Sequence, residues 1–233
     1  MKVGLLYSGG KDSTFAIDYC MEKGWEIEYL LSFKPTRTDC WLFHYATVEH
    51  TPVLAKQLGI SHDVLPCDIA DPKLEAQLVK KAVEFRPKVD ALVLGGTGLQ
   101  ATQIKSIQEA LKPLGVEVFA AHSGQDHDVV MRQMLAKGYR FMITQIAAEG
   151  LTQNDLGKVL DAKAMEELFE RSRKFGFHEG GEGGHFDTLT IGGPIFSHEI
   201  QIEKSHKVME REFVGHLIID SLKLVPVAKI EAV

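Results

Sequence analysis

The chain has 233 residues, 45% of them hydrophobic and 25% charged, and a formal net charge of −6. A chain of this length buries about 70% of its unfolded surface, so it can enclose a site, and its composition excludes disorder, collagen-like repeats and coiled coil. With 26 basic residues against 32 acidic ones, nucleic acid is disfavoured as the main partner, and three cysteines without a CxxC pair argue against a disulfide framework or a cysteine-rich zinc site.

In chain order, β-rich runs at 3–7, 27–33, 63–66, 91–95, 117–120 and 141–146 alternate with helical-period segments at 14–23, 51–58, 73–85, 103–114 and 126–137. That alternation predicts an α/β fold in which helices cover a parallel sheet. After Gly150 the pattern changes. A charged helical stretch at 161–174 leads into a glycine cluster from Glu179 to Gly184, followed by hydrophobic strands ending near Val227. The expected division is a nucleotide-binding domain at 1–121 and a C-terminal α+β domain at 122–233, closely packed, with a cleft between them. No apolar run approaches ~18 residues, and Met1-Lys2-Val3 enters a strand without a basic leader. No membrane partner is expected, and a reducing cytoplasm is the expected location.

The strongest signal is Ser8-Gly9-Gly10-Lys11-Asp12-Ser13, placed between the first strand and an amphipathic helix. Two glycines let the backbone turn sharply and bring its N–H groups toward an anion, and the helix N-terminus adds partial positive charge. Ser8 and Ser13 supply hydroxyls, Lys11 a full charge, and Asp12 either a cap or a ligand for a divalent ion. A Walker A loop is excluded, because GxxxxGK[ST] would need glycine at Leu5 and serine or threonine at Asp12.

This hexapeptide resembles the pyrophosphate loop of the N-type ATP pyrophosphatases. Three further stretches are similar to the diphthine:ammonia ligases within that superfamily: Cys40-Trp41-Leu42-Phe43-His44, the segment from Met142 to Gly157, and Glu182-Gly183-Gly184-His185-Phe186-Asp187-Thr188-Leu189 running into Gly193-Pro194-Ile195-Phe196. The resemblance implies a parallel five-stranded sheet of the HUP type and a reaction in which ATP adenylates a carboxylate that ammonium then amidates, releasing AMP and pyrophosphate. It implies diphthine on translation elongation factor 2 as the acceptor, with ATP and Mg²⁺ as cofactors. It also implies that Ser8, Gly9, Gly10, Lys11, Asp12 and Ser13 hold the phosphates and that Leu31, Ser32 and Phe33 meet adenine through backbone atoms. His44 and Gly95 are further nucleotide contacts, and Asp12 is the metal ligand. Lys11, Asp12, Glu182, Asp187 and Thr188 carry the chemistry, and Gly183, Gly184 and His185 face the acceptor. A homodimer is compatible with the sequence. Alternatives are a ligase acting on another carboxylate or on tRNA, and an ATP-binding protein without turnover.

Departures from the family pattern are His185 where glutamate is usual and Gly192-Gly193 where aspartate precedes the proline segment. Gly96-Thr97-Gly98-Leu99-Gln100-Ala101 fits a dinucleotide fingerprint but lacks the acidic residue after the next strand, so it reads as a glycine-lined cleft wall. His178, His185 and Asp126-His127-Asp128 lack zinc spacing and read as solvated or capping residues. Trp25 and Trp41 read as packing residues.

Overall fold

The computed structural model describes residues 1–37, 43, 46–97 and 101–227. Strands β1 (Lys2–Leu6), β2 (Glu26–Pro35), β3 (His62–Cys67), β4 (Ala91–Leu94) and β5 (Glu117–Ala120) pair in parallel in the order β3-β2-β1-β4-β5. Helices α1 (Lys11–Glu22), α2 (Thr51–Leu58), α3 (Pro72–Glu84) and α4 (Ala101–Leu111) connect them. Alternation along each strand sends side chains to opposite faces. Val3, Leu5, Leu30, Ala91 and Val93 pack with Ala16, Ile17 and Leu54 of α1 and α2. Leu31, Phe33, Leu92 and Leu94 pack instead with Val79, Val83, Ile107 and Leu111 of α3 and α4. Strand order reverses between β1 and β4, which opens a crevice at their carboxyl ends, the usual ligand position in such sheets.

The expected α/β architecture is therefore present, with most element boundaries within a few residues of their sequence positions. Helix α1 begins at Lys11 rather than Thr14, because Gly10 already serves as its N-cap. Lys11, Asp12 and Ser13 thus form the first helical turn, directly beneath the loop they belong to.

Helix α5 (His127–Ala136), β6 (Arg140–Ala147), α6 (Ala162–Phe175), β7 (Phe186–Gly192), β8 (His198–Arg211) and β9 (Val214–Pro226) form the second unit, an antiparallel sheet in the order β7-β6-β9-β8. The alternation read from sequence runs through 141–146, yet this strand, β6, pairs with β7 and β9 rather than with the parallel sheet. Local patterning cannot distinguish the two, since both sheets bury the strand. Leu189 and Ile191 of β7, Ile200 of β8 and Leu217 and Ile219 of β9 join the core beneath α1 and α2, so the two sheets share one apolar layer. A separate core packs Val130, Met131, Leu168 and Phe169 of α5 and α6 on Phe141, Ile143 and Phe186. Gly193 is required by close packing: a Cβ there would stand 2.4 Å from the Tyr139 ring. Trp25 packs edge-on to Tyr19 and Phe119, as expected of a packing residue.

One ion pair on a buried carboxylate anchors the second unit. The Arg171 guanidinium donates to both oxygens of Asp155 at 2.9 and 2.7 Å, and the Thr152 N–H donates to the same carboxylate at 2.8 Å. Burial alone would raise Asp155, but these bonds hold it below its ordinary value. Asp155→Ala leaves the guanidinium without its partner and is expected to cost about 3 kcal/mol, read as a lowered urea midpoint. Among the described residues no helix is long and apolar enough to cross a membrane.

Candidate active site

The loop after β1 is held by its own hydroxyls. The Ser8 N–H donates to Ser13 Oγ at 3.2 Å, the Gly10 N–H donates to Ser8 Oγ at 3.3 Å, and the two hydroxyls lie 3.1 Å apart. Gly9 has φ +77°, a left-handed conformation natural to glycine. The exit of β4 crosses close above this turn, where a Cβ on Gly95 would lie 2.4 Å from the Ser13 nitrogen and 2.5 Å from the Asp12 carbonyl carbon. Gly95→Ala sets a methyl against the Asp12–Ser13 peptide bond. It is expected to cost about 1–3 kcal/mol and to weaken nucleotide binding by about tenfold, measured by calorimetry.

The second unit closes the other side. The Thr190 N–H donates to Gly9 O at 2.8 Å, and the Lys11 N–H donates to Thr188 Oγ1 at 3.1 Å. Lys11 is 4% exposed; its Nζ donates to Asp12 Oδ2 at 2.8 Å and to Gly180 O at 2.5 Å, and lies 5.4 Å from the centre of the Phe186 ring.

His127, the first residue of α5, sits between the two units with its side chain fully buried. Its Nε2 lies 2.9 Å from Asp12 Oδ1 and its Nδ1 lies 3.2 Å from Glu182 Oε1. The ring lies against Gly180, where a Cβ would come within 2.4 Å of it. Glu182 Oε1 also accepts from the Thr97 N–H at 3.1 Å and from its hydroxyl at 3.0 Å, whereas Oε2 is buried and has no hydrogen-bond partner. Burial pulls the His127 imidazole down, but the Asp12 and Glu182 carboxylates outweigh it and push it up to about 9. Burial pushes the Asp12 carboxyl up, but Lys11 and His127 hold it far below the usual range. Glu182 is likewise lowered, because His127 and Thr97 overcome burial. At neutral pH the centre is an alternating row of charges, Lys11, Asp12, His127 and Glu182.

Lys11, Asp12 and Glu182 form one end of a pocket that is partly open to solvent, with His127 behind them. Leu31, Phe33, Phe43, Val48 and Ile104 line the other end, with the Phe33 and Phe43 rings stacked at 4.5 Å between centroids. A cationic loop beside an apolar aromatic slot fits a nucleoside triphosphate, with phosphates at the helix N-terminus and a base at the slot.

Of the residues singled out in the sequence, Ser8, Gly10, Lys11, Asp12, Ser13, Leu31, Phe33, Gly95, Glu182, Asp187 and Thr188 line this pocket together. Gly9 belongs to the same loop but faces Thr51 and Leu54. The Ser32 hydroxyl turns away from the pocket, toward Tyr7 O and to 2.8 Å from His62 Nε2. Gly183, Gly184 and His185 fall outside the pocket wall. His185 Nδ1 accepts the His178 N–H at 2.9 Å, which ties the ends of the glycine loop together. His44 and 40–42 lie outside the described residues.

The reading of His127 as a solvated or capping residue is corrected by its complete burial between two carboxylates. Thr97 and Gly180 were also missed as site residues. Both oxygens of Asp12, expected as a metal ligand, are engaged by Lys11 and His127, and among the described residues no group of three or more His, Cys, Asp and Glu side chains is placed to hold a metal ion. The side chains as arranged do not fit direct ligation of a metal by the protein.

Comparison with known proteins gives a consistent result over the whole chain. Residues 1–118 match the diphthamide synthase N-terminal domain, and residues 126–225 match the diphthamide synthase C-terminal domain. A diphthine–ammonia ligase of Schizosaccharomyces pombe is 28% identical over 93% of this chain and 37% of its own length. Those of Homo sapiens and Danio rerio are each 28% identical, over 90% and 91% of this chain and 85% and 90% of theirs. The chain thus spans about a third of the yeast relative and most of the vertebrate ones. Among solved structures, a predicted subunit of tRNA methyltransferase from Methanocaldococcus jannaschii aligns over 83% of this chain and 97% of that chain, at 16% identity and a TM-score of 0.45. That likeness is too distant to carry an argument.

Proposed function

The chain belongs to the diphthamide synthase family, and from that membership we propose that it is an ATP-dependent diphthine–ammonia ligase acting on translation elongation factor 2 in the cytoplasm. ATP supplies the activation: a carboxylate oxygen of the acceptor bonds to the α-phosphorus as pyrophosphate leaves, and ammonia then forms the C–N bond as AMP departs with the C–O electron pair. Without that activation a carboxylate is a poor acceptor for ammonia.

The observation that carries the proposal is the convergence of Ser8, Gly10, Lys11 and Ser13 with Asp187 and Thr188 on one pocket, across 170 residues of chain, at the point where strand order reverses. Lys11 and the first turn of α1 neutralise charge that grows on the departing pyrophosphate, in a site where burial strengthens the interaction. Thr188 holds the Lys11 N–H, so the second unit fixes the orientation of the loop. Leu31 and Phe33 offer adenine an apolar wall. Mg²⁺ would enter on the triphosphate rather than on Asp12, whose two oxygens are already paired. A homodimer is part of the same proposal and is tested by sedimentation.

The deciding experiment incubates the protein with ATP, ammonium and diphthine-bearing elongation factor 2. Mass spectrometry is expected to show the acid converted to amide on the factor, and chromatography to show AMP and pyrophosphate in equal amounts. ADP as the sole spent nucleotide, or an unmodified factor, would refute the assignment.

A further inference from the structure

Glu182 presents a carboxylate oxygen that the protein leaves unused. Its side chain is only 10% exposed, and it lines the pocket beside Gly96. Oε1 accepts from the Thr97 N–H and hydroxyl and lies 3.2 Å from His127 Nδ1, which makes no hydrogen bond itself, while Oε2 is buried without a hydrogen-bond partner. A charged oxygen stripped of water in this way is costly unless a donor comes to it. The charges around it point to the sign of that donor. Asp12 holds both cations of the cluster, Lys11 Nζ at 2.8 Å and His127 Nε2 at 2.9 Å, and neither has a bond to Oε2. Lys11 Nζ spends its other bond on Gly180 O, which leaves Oε2 without a cationic partner of its own.

Resting on the ligase reading above, we infer that Glu182 Oε2 is the seat of the nitrogen donor, which it captures as the ammonium cation. Ammonium suits the position: it is small, carries one full charge and has N–H bonds in four directions. The two Thr97 bonds hold Oε1 and thereby fix the direction in which Oε2 points. Glu182 in this role holds the cation beside the activated acceptor and takes one of its protons on Oε2, which frees ammonia as the nucleophile.

The test is a competition between ammonium and hydroxylamine for the same activated acceptor, with amide and hydroxamate quantified together by mass spectrometry. Hydroxylamine is neutral at neutral pH, so only ammonium depends on the carboxylate charge. In Glu182→Gln the side-chain oxygen is kept by the two Thr97 donors, and the amide NH₂ is placed where Oε2 was. The amide-to-hydroxamate ratio is expected to fall at least tenfold relative to wild type. Because it is a ratio, it is independent of how quickly either protein activates the acceptor.

Glu182→Asp, which keeps the charge but withdraws it by one methylene, is expected to shift the ratio in the same direction by a smaller factor, and it serves if the glutamine variant does not fold. An unchanged ratio in a folded variant overturns the assignment of Oε2. Absence of both products with the wild-type protein overturns the ligase reading instead.

Discussion

Replacing Lys11 with alanine is expected to abolish ATP:pyrophosphate exchange, lowering it by a factor on the order of 10³. Lys11 contributes a whole positive charge in a buried position at the head of α1, reinforced by the helix dipole. A departing pyrophosphate gains charge at this point, and water cannot substitute for the lost ammonium once the pocket is filled. The fold is expected to survive, since Asp12 retains its bond to His127 and α1 retains its apolar contacts through Ala16 and Ile17. The check is therefore paired: exchange of labelled pyrophosphate falls to background while the melting temperature moves by only a few degrees. Full exchange in the alanine variant would refute the role of Lys11, and collapse of the fold would show that its bond to Gly180 is chiefly structural.

His127→Leu carries the largest expected effect on stability. Leucine fills much of the volume but leaves Asp12 and Glu182 buried without the cation they share, a loss of about 3–5 kcal/mol, or on the order of 10 °C in melting temperature for a chain of this size. The pH dependence gives an independent readout. His127 is raised from 6.5 to about 9, so its contribution is fully present below 6.5 and is lost as pH rises through about 9. From that shift the contribution is about 3 kcal/mol. Asp12 and Glu182 are lowered, so their contributions are present above the ordinary carboxylate range and disappear in acid. The gap in stability between wild type and His127→Leu should therefore be widest from about pH 5 to 6.5 and narrow toward pH 9. A gap that stays constant across this range in urea titrations would show that the imidazole is not the charge that holds the two carboxylates.

The contrast between Lys11 and His127 explains what was legible in the sequence. Lys11 stands in a contiguous hexapeptide between a strand and a helix, so the chemistry of the loop can be read from neighbours along the chain. His127 acquires its meaning from Asp12, 115 residues away, and from Glu182, which is brought to it by a glycine turn. In isolation it is a polar residue after Asp126 at a helix start, which is also what a cap looks like. Strand β6 was recognised as a strand but not assigned to its sheet, because a buried strand reads the same in either.

Gly192-Gly193 departs from the family pattern, and for Gly193 the structure supplies a reason in the Tyr139 ring, which no local pattern announces. Glu182 reaches the pocket, while Gly183, Gly184 and His185 form the outer bend of the turn.

The bond from Lys11 to Gly180 joins residues 169 positions apart. During synthesis the phosphate loop leaves the ribosome early, and its lysine has no carbonyl to rest on until most of the polypeptide has followed. The parallel sheet draws all its strands from the amino-terminal half, but part of its apolar layer and the far wall of the pocket come only with β7. Completion of the pocket is thus a late event in the life of each molecule.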